Sequence, residues 1–176
     1  MDWSAGYFLH WSMFIYQKKW NSPQILPLSE DIKQLQDHLK CLEEVHKNNL
    51  IDQPSQKSWS ELSQVTLAQL ILFNRRREGE VSRMELNTYL HRNKHSMHDD
   101  ILESLSPFEK KLCENLIRVE IRGKRGRKVP VLFPTNIKES VELLIKIRQE
   151  VGISPTNPYI FARPFYGSQE SIRGYD

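Results

Sequence analysis

The sequence predicts an α+β domain that is mostly helical and contains one β-hairpin. Several stretches repeat apolar residues at helical spacing, which is typical of amphipathic helices packed on a common core. Two runs rich in β-branched residues, 118–121 and 129–133, flank a short basic segment that contains two glycines, which predicts a hairpin. With 176 residues, 39% hydrophobic and 27% charged, the chain has a globular composition and can bury one ordinary core.

The first part of the chain predicts two helices. Residues 4–19 carry large aromatic side chains at helical spacing, which predicts a buried amphipathic helix. A signal peptide is not favoured, because the segment lacks a basic start and a small-residue cleavage site. The segment is also too short to span a bilayer, so we expect no membrane partner. Ser29 is expected to cap a second helix, whose apolar stripe runs from Ile32 to Val45.

A polar stretch separates these helices from the rest of the chain. Residues 47–57 contain Pro54 and few apolar side chains, which predicts a connection. We therefore divide the chain into an N-terminal helical segment (1–50), a linker (51–57) and a main domain (58–176).

The main domain is expected to begin with its core helix. Ser58 and Glu61 have the spacing of a capping box, and strongly apolar residues follow them. This helix runs into three consecutive arginines at residues 75–77. Residues 80–90 then predict a short second helix, which leads into a polar loop.

A second capping box precedes the hairpin. Ser106 has Glu109 three positions later, and Pro107 occupies the first helical position, where its missing N–H costs nothing. These signals predict a helix to about Leu116.

The hairpin is expected to lead into a last helix. Thr135 or Asn136 can cap it, and apolar residues continue through Val151 until Gly152 ends it. Residues 158–162 predict a short strand.

Positive charge is concentrated in two clusters, although the net charge is only +3. The first cluster is Arg75, Arg76 and Arg77; the second is Arg122, Lys124, Arg125, Arg127 and Lys128. Guanidinium groups bind phosphate oxygens bidentately, and an ammonium group acts as a mobile point charge. The clusters therefore predict a surface that holds a nucleic-acid backbone.

Each cluster also has an ordinary structural explanation. Cations at the end of a helix stabilise its dipole. Glu80 can form an exposed ion pair with Arg76 or Arg77 at helical spacing. A basic hairpin turn can simply be solvated, so the charges alone leave both interpretations open.

No metal or cofactor is expected. His91, His95 and His98 have a spacing that fits one helix face, but their neighbours are typical of an exposed loop and no second element supplies ligands. Cys41 and Cys113 lie on separate predicted helices, so no disulfide framework is implied and a reducing intracellular compartment fits.

The order of these motifs resembles the catalytic domain of tyrosine recombinases, most closely that of Crypton-like transposable elements and their domesticated animal relatives. The matching features are Arg-Glu-Gly-Glu-Val at residues 77–81 after an apolar helix, Gly123-Lys124 in a hairpin turn, Val-Pro-Val at residues 129–131, and a capped helix. The resemblance covers roughly residues 58–176. It implies that the preceding helices belong to the end of a core-binding region.

The resemblance implies DNA recombination or integration and a role for three residues. In this family two arginines and a histidine hold the scissile phosphate, a hairpin lysine protonates the leaving 5′ oxygen, and a tyrosine attacks phosphorus. Arg77 matches the first arginine, Glu80 the acidic residue that supports it, and Lys124 the hairpin lysine. The other cations are expected to contact the DNA backbone, and the expected location is the nucleus.

The chain departs from the family pattern beyond the hairpin. No histidine follows His98, so a His-x-x-Arg box cannot lie downstream of Lys124. Tyr175 lacks the following helix that positions the family's nucleophile, and Tyr159 and Tyr166 are interpreted as core or surface residues. The resemblance thus predicts a truncated or fragmentary domain, not catalytically competent alone, that associates with itself or with a chain supplying the missing half. The alternative is a non-catalytic remnant of the fold with a structural or protein-interaction role.

Overall fold

A computed structural model of the chain describes residues 29–92, 105–123, 126–165 and 167–173. The elements follow the order α1 (Ser29–Asp52), α2 (Gln56–Asn74), α3 (Glu78–Val81), α4 (Leu86–Leu90), α5 (Pro107–Asn115), β1 (Leu116–Arg122), β2 (Lys128–Pro134) and α6 (Thr135–Ile147). Helices dominate and the two strands form an antiparallel hairpin, so the predicted α+β class is confirmed. The helix predicted over residues 4–19 lies outside the described residues.

Internal contacts divide the chain into two units, Met1–Gln34 and Leu35–Asp176. Helix α1 runs through this division. The hydrophobic core and both basic clusters belong to the second unit. The domain division made from the sequence stays a prediction.

Helix α1 is longer than its sequence suggests. It continues through Asp52, and α2 begins at Gln56, so most of the predicted linker over residues 51–57 is helical. Leu50 is fully buried in the core. This burial keeps the last turn of α1 in place, although the other residues of that turn are exposed.

Helix α2 is the central helix of the core. Trp59, Leu62 and Leu70 are fully buried, and the indole N–H of Trp59 donates to the Leu144 carbonyl at 3.0 Å. The predicted capping box is wrong by one turn. Ser55 is the N-cap, its hydroxyl accepts from the Ser58 N–H, and the Ser58 side chain accepts from the Ser55 N–H. Ser58 is therefore the third helical residue, not the cap.

The three arginines follow α2 instead of forming its last turn. The helix ends at Asn74, and Arg75 adopts a left-handed conformation with φ 51°. Arg77 is the N-cap of α3. The single helix predicted over residues 80–90 is two short helices, α3 and α4.

The hairpin is confirmed, and its strands are longer than predicted. Its register runs from Leu116 opposite Pro134 to Arg122 opposite Lys128. The fully packed residues of the inward face are Val119, Ile121, Val131 and Phe133, which are buried. Charged residues occupy the opposite, exposed face of β1.

Two glycines shape the turn of the hairpin. A Cβ atom at Gly123 would lie 2.4 Å from a methyl group of Val129, so only glycine fits there without a shift. Gly126 has φ 73°, a conformation that glycine adopts without the steric penalty of a side chain.

The capping box of α5 is confirmed, whereas the predicted cap of α6 is wrong. Ser106 accepts from the Glu109 N–H, and the Glu109 carboxylate accepts from the Ser106 N–H at 2.8 Å. Pro134 precedes α6 as its N-cap and makes no side-chain capping bond. Thr135 and Asn136 instead use their side chains for contacts with α5 and α1.

Buried polar side chains organise the segment after α6. The guanidinium of Arg148 donates to the carbonyls of Asn157 and Tyr159 at 2.8 and 3.1 Å, and burial lowers its pKa. The predicted strand at residues 158–162 reduces to two isolated bridges, Glu85 with Tyr159 and Ala162 with Ser171. Within the described residues, every helix is too short or too polar to span a lipid bilayer.

Candidate nucleic-acid interface

Asn74 joins the end of α2 to the hairpin. Its Nδ2 donates to the Leu132 carbonyl at 2.9 Å, and its Oδ1 accepts from the Leu132 N–H at 2.7 Å. Nδ2 also donates to the Leu70 carbonyl at 3.0 Å. The amide side chain thus occupies the outer edge of β2 much as a neighbouring strand would.

Arg76 makes a second contact with the same edge. It is half-buried, and its Nη2 donates to the Pro130 carbonyl at 3.4 Å. We call Arg75, Arg76 and Arg77 the arginine turn. The contact of Arg76 places the arginine turn beside β2. Pro130 and Lys128 are two residues apart, which is about 7 Å along a strand.

The turn end of the hairpin is strongly basic. Arg122 and Lys128 lie directly opposite each other in the register, and both are exposed, as is Arg127. Like charges at directly opposed positions repel. Lys124 and Arg125 lie outside the described residues, so their predicted roles stay predictions.

One carboxylate interrupts this basic face. Glu120 binds Arg118 Nη2 at 2.9 Å through one oxygen and Lys128 Nζ at 3.4 Å through the other. Lys128, one of the cations predicted to contact DNA, is therefore paired with a carboxylate within the hairpin. The alternation of residues along β1 indicates that Arg118 and Glu120 share a face. The sequence does not indicate with which cations Glu120 forms ion pairs.

Arg77 and Glu80 are close through the backbone. Arg77 is exposed, and its carbonyl accepts from the Glu80 N–H at 3.0 Å. In the described part of the chain, no ion pair joins the Glu80 carboxylate to Arg76 or Arg77. The simple surface pair considered from the sequence is therefore absent, and the supporting role of Glu80 stays a prediction.

A shallow cleft opens beside α3. Its lining is formed by Glu78, Ser82, Arg83, Tyr159, Gln169, Glu170, Ser171 and Arg173. Gly79 leaves room for the Arg83 guanidinium, because a Cβ atom there would lie 3.2 Å from one of its nitrogens. Two glutamates balance the two arginines, so the cleft favours anions less than the hairpin does.

Within the described residues, no side-chain hydrogen bond or ion pair joins a tyrosine or a histidine to a cation of the two basic clusters. Tyr89 is buried, and burial raises the pKa of its phenol to about 12. Tyr159 is half-buried in the cleft, and His91 is exposed on the turn after α4. Among the residues that the structure describes, no three His, Cys, Asp or Glu side chains lie close enough to hold a metal ion.

A buried carboxylate that the sequence analysis missed ties three helices together. Glu43 of α1 is only 3% exposed. Gln69 of α2 and Asn136 of α6 each donate to its Oε2 at 3.0 Å, and the Ser140 hydroxyl donates to Oε1. Lys47 Nζ lies 3.2 Å from Oε1.

These contacts determine the charge state of Glu43. Burial by itself raises the pKa of the carboxyl group, but the hydrogen bonds and the Lys47 charge outweigh burial and hold the pKa below its ordinary value. Glu43 is therefore ionised at neutral pH and bonded on both oxygens. Its role is to fix α1 and α6 against α2.

The residues that the sequence analysis missed share one property. The partners of Asn74 and Glu43 are up to 97 residues away in the chain, so no local pattern marks them. A polar residue on an otherwise apolar helix face is the single signal that they leave.

Comparison of the chain with protein-family models, curated proteins and solved structures finds no significant match.

Proposed function

We propose that the protein binds the phosphate backbone of DNA through the arginine turn and the basic end of the hairpin. The observation that carries this proposal is the pair of contacts from Asn74 and Arg76 to β2, which hold two distant cation clusters beside one strand. Clusters on one surface can neutralise neighbouring phosphates of one duplex, and that releases counterions. The protein is then a nuclear, tyrosine-recombinase-like domain derived from a mobile element.

Two features of the basic surface support an anionic ligand. Arg122 and Lys128 face each other across the strands, and a phosphate between them would relieve their repulsion. Arg75 holds an exposed side chain in a left-handed conformation that glycine tolerates better. Both features place cations on the surface, and the left-handed conformation of Arg75 costs stability in the free protein.

The sequence of this chain supplies part of a recombinase active site. Arg77, Glu80 and Lys124 match the family, but no histidine follows His98. We therefore propose that residues 1–176 bind DNA without cleaving a strand. A trapping assay for phosphotyrosyl-DNA should stay blank with this chain.

Charge reversal tests the proposed surface. The double variant Arg77→Glu, Arg122→Glu should bind a fluorescent duplex at least about tenfold more weakly at low salt, because each reversal replaces a phosphate contact by repulsion. The matched control is Lys40→Glu, Lys146→Glu, which changes the net charge equally at exposed positions of α1 and α6. Equal loss of affinity in both variants, or no binding by the natural sequence, would contradict the proposal.

Arg75→Gly separates folding from binding at the arginine turn. Glycine adopts φ 51° without a side-chain penalty, so the free energy of unfolding should rise by up to about 1 kcal/mol. DNA affinity should fall, because one exposed cation is lost. Urea denaturation and duplex titration measure the two changes, and a parallel loss of stability and affinity would argue against a binding role for Arg75.

A protein-interaction role is the second candidate. Phe108 and Leu112 of α5 lie one helical turn apart and are 71% and 43% exposed. Exposed apolar pairs of this kind are typical of protein contacts. Under this alternative, the charge-reversed variants keep their partner, and Phe108→Ser, Leu112→Ser loses it.

A further inference from the structure

Glu120 lies between two cations on the exposed face of the hairpin. Cross-strand partners share a face, and Glu120 lies opposite Pro130, one position along the face from the opposed pair Arg122 and Lys128. Arg118 precedes Glu120 by two residues on the same strand and therefore lies on the same side. Arg118, Glu120 and Arg122 therefore form a row along β1, and Lys128 lies beside the end of that row on β2.

The geometry of Glu120 matches that of a bound phosphate. Each carboxylate oxygen accepts from one cation, Arg118 at 2.9 Å and Lys128 at 3.4 Å. A phosphate oxygen pair would make the same two contacts. The side chains of Arg118 and Lys128 are 63% and 84% exposed, so both can turn from Glu120 to an external anion.

Energetics allow such an exchange. Exposed ion pairs are weak, and the pairs made by Glu120 are open to solvent. A polyanion offers many phosphates and gains entropy from released counterions, whereas Glu120 offers one carboxylate. A single free phosphate lacks this advantage.

We propose that Glu120 competes with nucleic-acid phosphate for Arg118 and Lys128. Glu120 binds both cations in the free protein and releases them when a duplex binds. The inference rests on the proposed DNA binding and adds Arg118 to the residues that contact the backbone. Glu120 thereby sets the salt concentration at which binding is lost. It also disfavours small anions relative to a duplex.

The test compares Glu120→Gln with Glu44→Gln, a matched loss of one charge at an exposed position of α1. Glu120→Gln should bind a duplex about 2- to 30-fold more tightly than the natural sequence, because two weak ion pairs no longer compete. Its affinity should also fall more steeply with salt, because in the natural sequence added salt weakens the competing ion pairs of Glu120 as well as the phosphate contacts. Glu44→Gln should match the natural sequence in both respects.

A second variant isolates the contribution of Arg118. Adding Arg118→Gln to Glu120→Gln should remove about half of the gain in affinity, because one of the two released cations is gone. Glu120→Thr, which suits a strand, repeats the test with a different side chain, and thermal melts check that all variants fold.

Each outcome decides one question. If neither the natural sequence nor any variant binds a duplex at low salt, the proposed function itself is wrong. If the natural sequence binds and Glu120→Gln equals Glu44→Gln or binds more weakly, the competitor role of Glu120 is wrong. A gain in affinity that keeps its full size when Arg118 is removed would overturn the assignment of Arg118.

Discussion

Replacing Glu43 with alanine is expected to lower the free energy of unfolding by about 3–5 kcal/mol, the loss typical of breaking a buried charged network. The substitution leaves Gln69, Asn136 and Ser140 without their acceptor and Lys47 without its closest carboxylate. Each buried polar group that is left unpaired costs about 1–3 kcal/mol. Urea denaturation followed by circular dichroism measures the change.

Glu44 provides the control for this experiment. It is the next residue of α1 and is exposed, so Glu44→Ala should change the free energy of unfolding by no more than about 0.5 kcal/mol. Similar losses for the two variants would mean that α1 is not held by the buried carboxylate.

The pH dependence of stability gives an independent measurement of the same cluster. Since the folded protein holds the pKa of Glu43 below its ordinary value, the ionised carboxylate stabilises the fold at all pH values above that ordinary value. The contribution is lost as the pH falls through the lowered pKa. The difference in free energy of unfolding between the natural sequence and Glu43→Gln should therefore shrink under acidic conditions, and a difference that grows on acidification would refute the assigned charge state.

Replacing Asn74 with alanine is expected to cost about 2–4 kcal/mol, because the Leu132 N–H and carbonyl both lose their partner. Asn74→Asp should be no better. A carboxylate still accepts from the Leu132 N–H, but it faces the Leu70 and Leu132 carbonyls, to which the amide donates. The exposed Asn87 of α4 provides the control, and its alanine variant should be close to neutral.

The Leu132 amide reports directly on this contact. Hydrogen exchange at Leu132 should become faster in Asn74→Ala, whereas the amides that pair β1 with β2 should keep more of their protection. Duplex affinity should also fall, because the arginine turn loses its attachment to the hairpin. Unchanged exchange at Leu132 would show that Asn74 does not protect this edge in solution.

Local signals in the sequence were sufficient for several elements. The capping box at Ser106 and Glu109 acts within one turn, and the hairpin needs two β-branched runs and a glycine-containing turn, so both predictions are confirmed. The start of α2 was placed at the wrong serine, because Ser55 and Ser58 both offer a hydroxyl and only the folded backbone decides which one caps. The last turn of α1 was missed, because its polar residues conceal the single buried contact at Leu50.

The candidate interface was predicted in its composition but not in its connections. The charge clusters are visible in the sequence, and the roles of Arg77, Glu80 and Lys124 rest on a resemblance that stays a proposal. The sequence did not indicate that Arg76 contacts β2, that Arg75 is left-handed, or that Glu120 takes Lys128 as its partner.

The sequence by itself determined the mostly helical class with one hairpin and the position of two cation clusters, since periodicity, caps and turn residues act over a few neighbours. The tertiary structure alone decided that Asn74 joins α2 to β2, that Glu43 joins three helices, and that Glu120 pairs with Lys128. The physical reason is the range of the interactions. Side-chain hydrogen bonds and ion pairs form between any groups that packing brings within about 3 Å, whatever their separation in the chain.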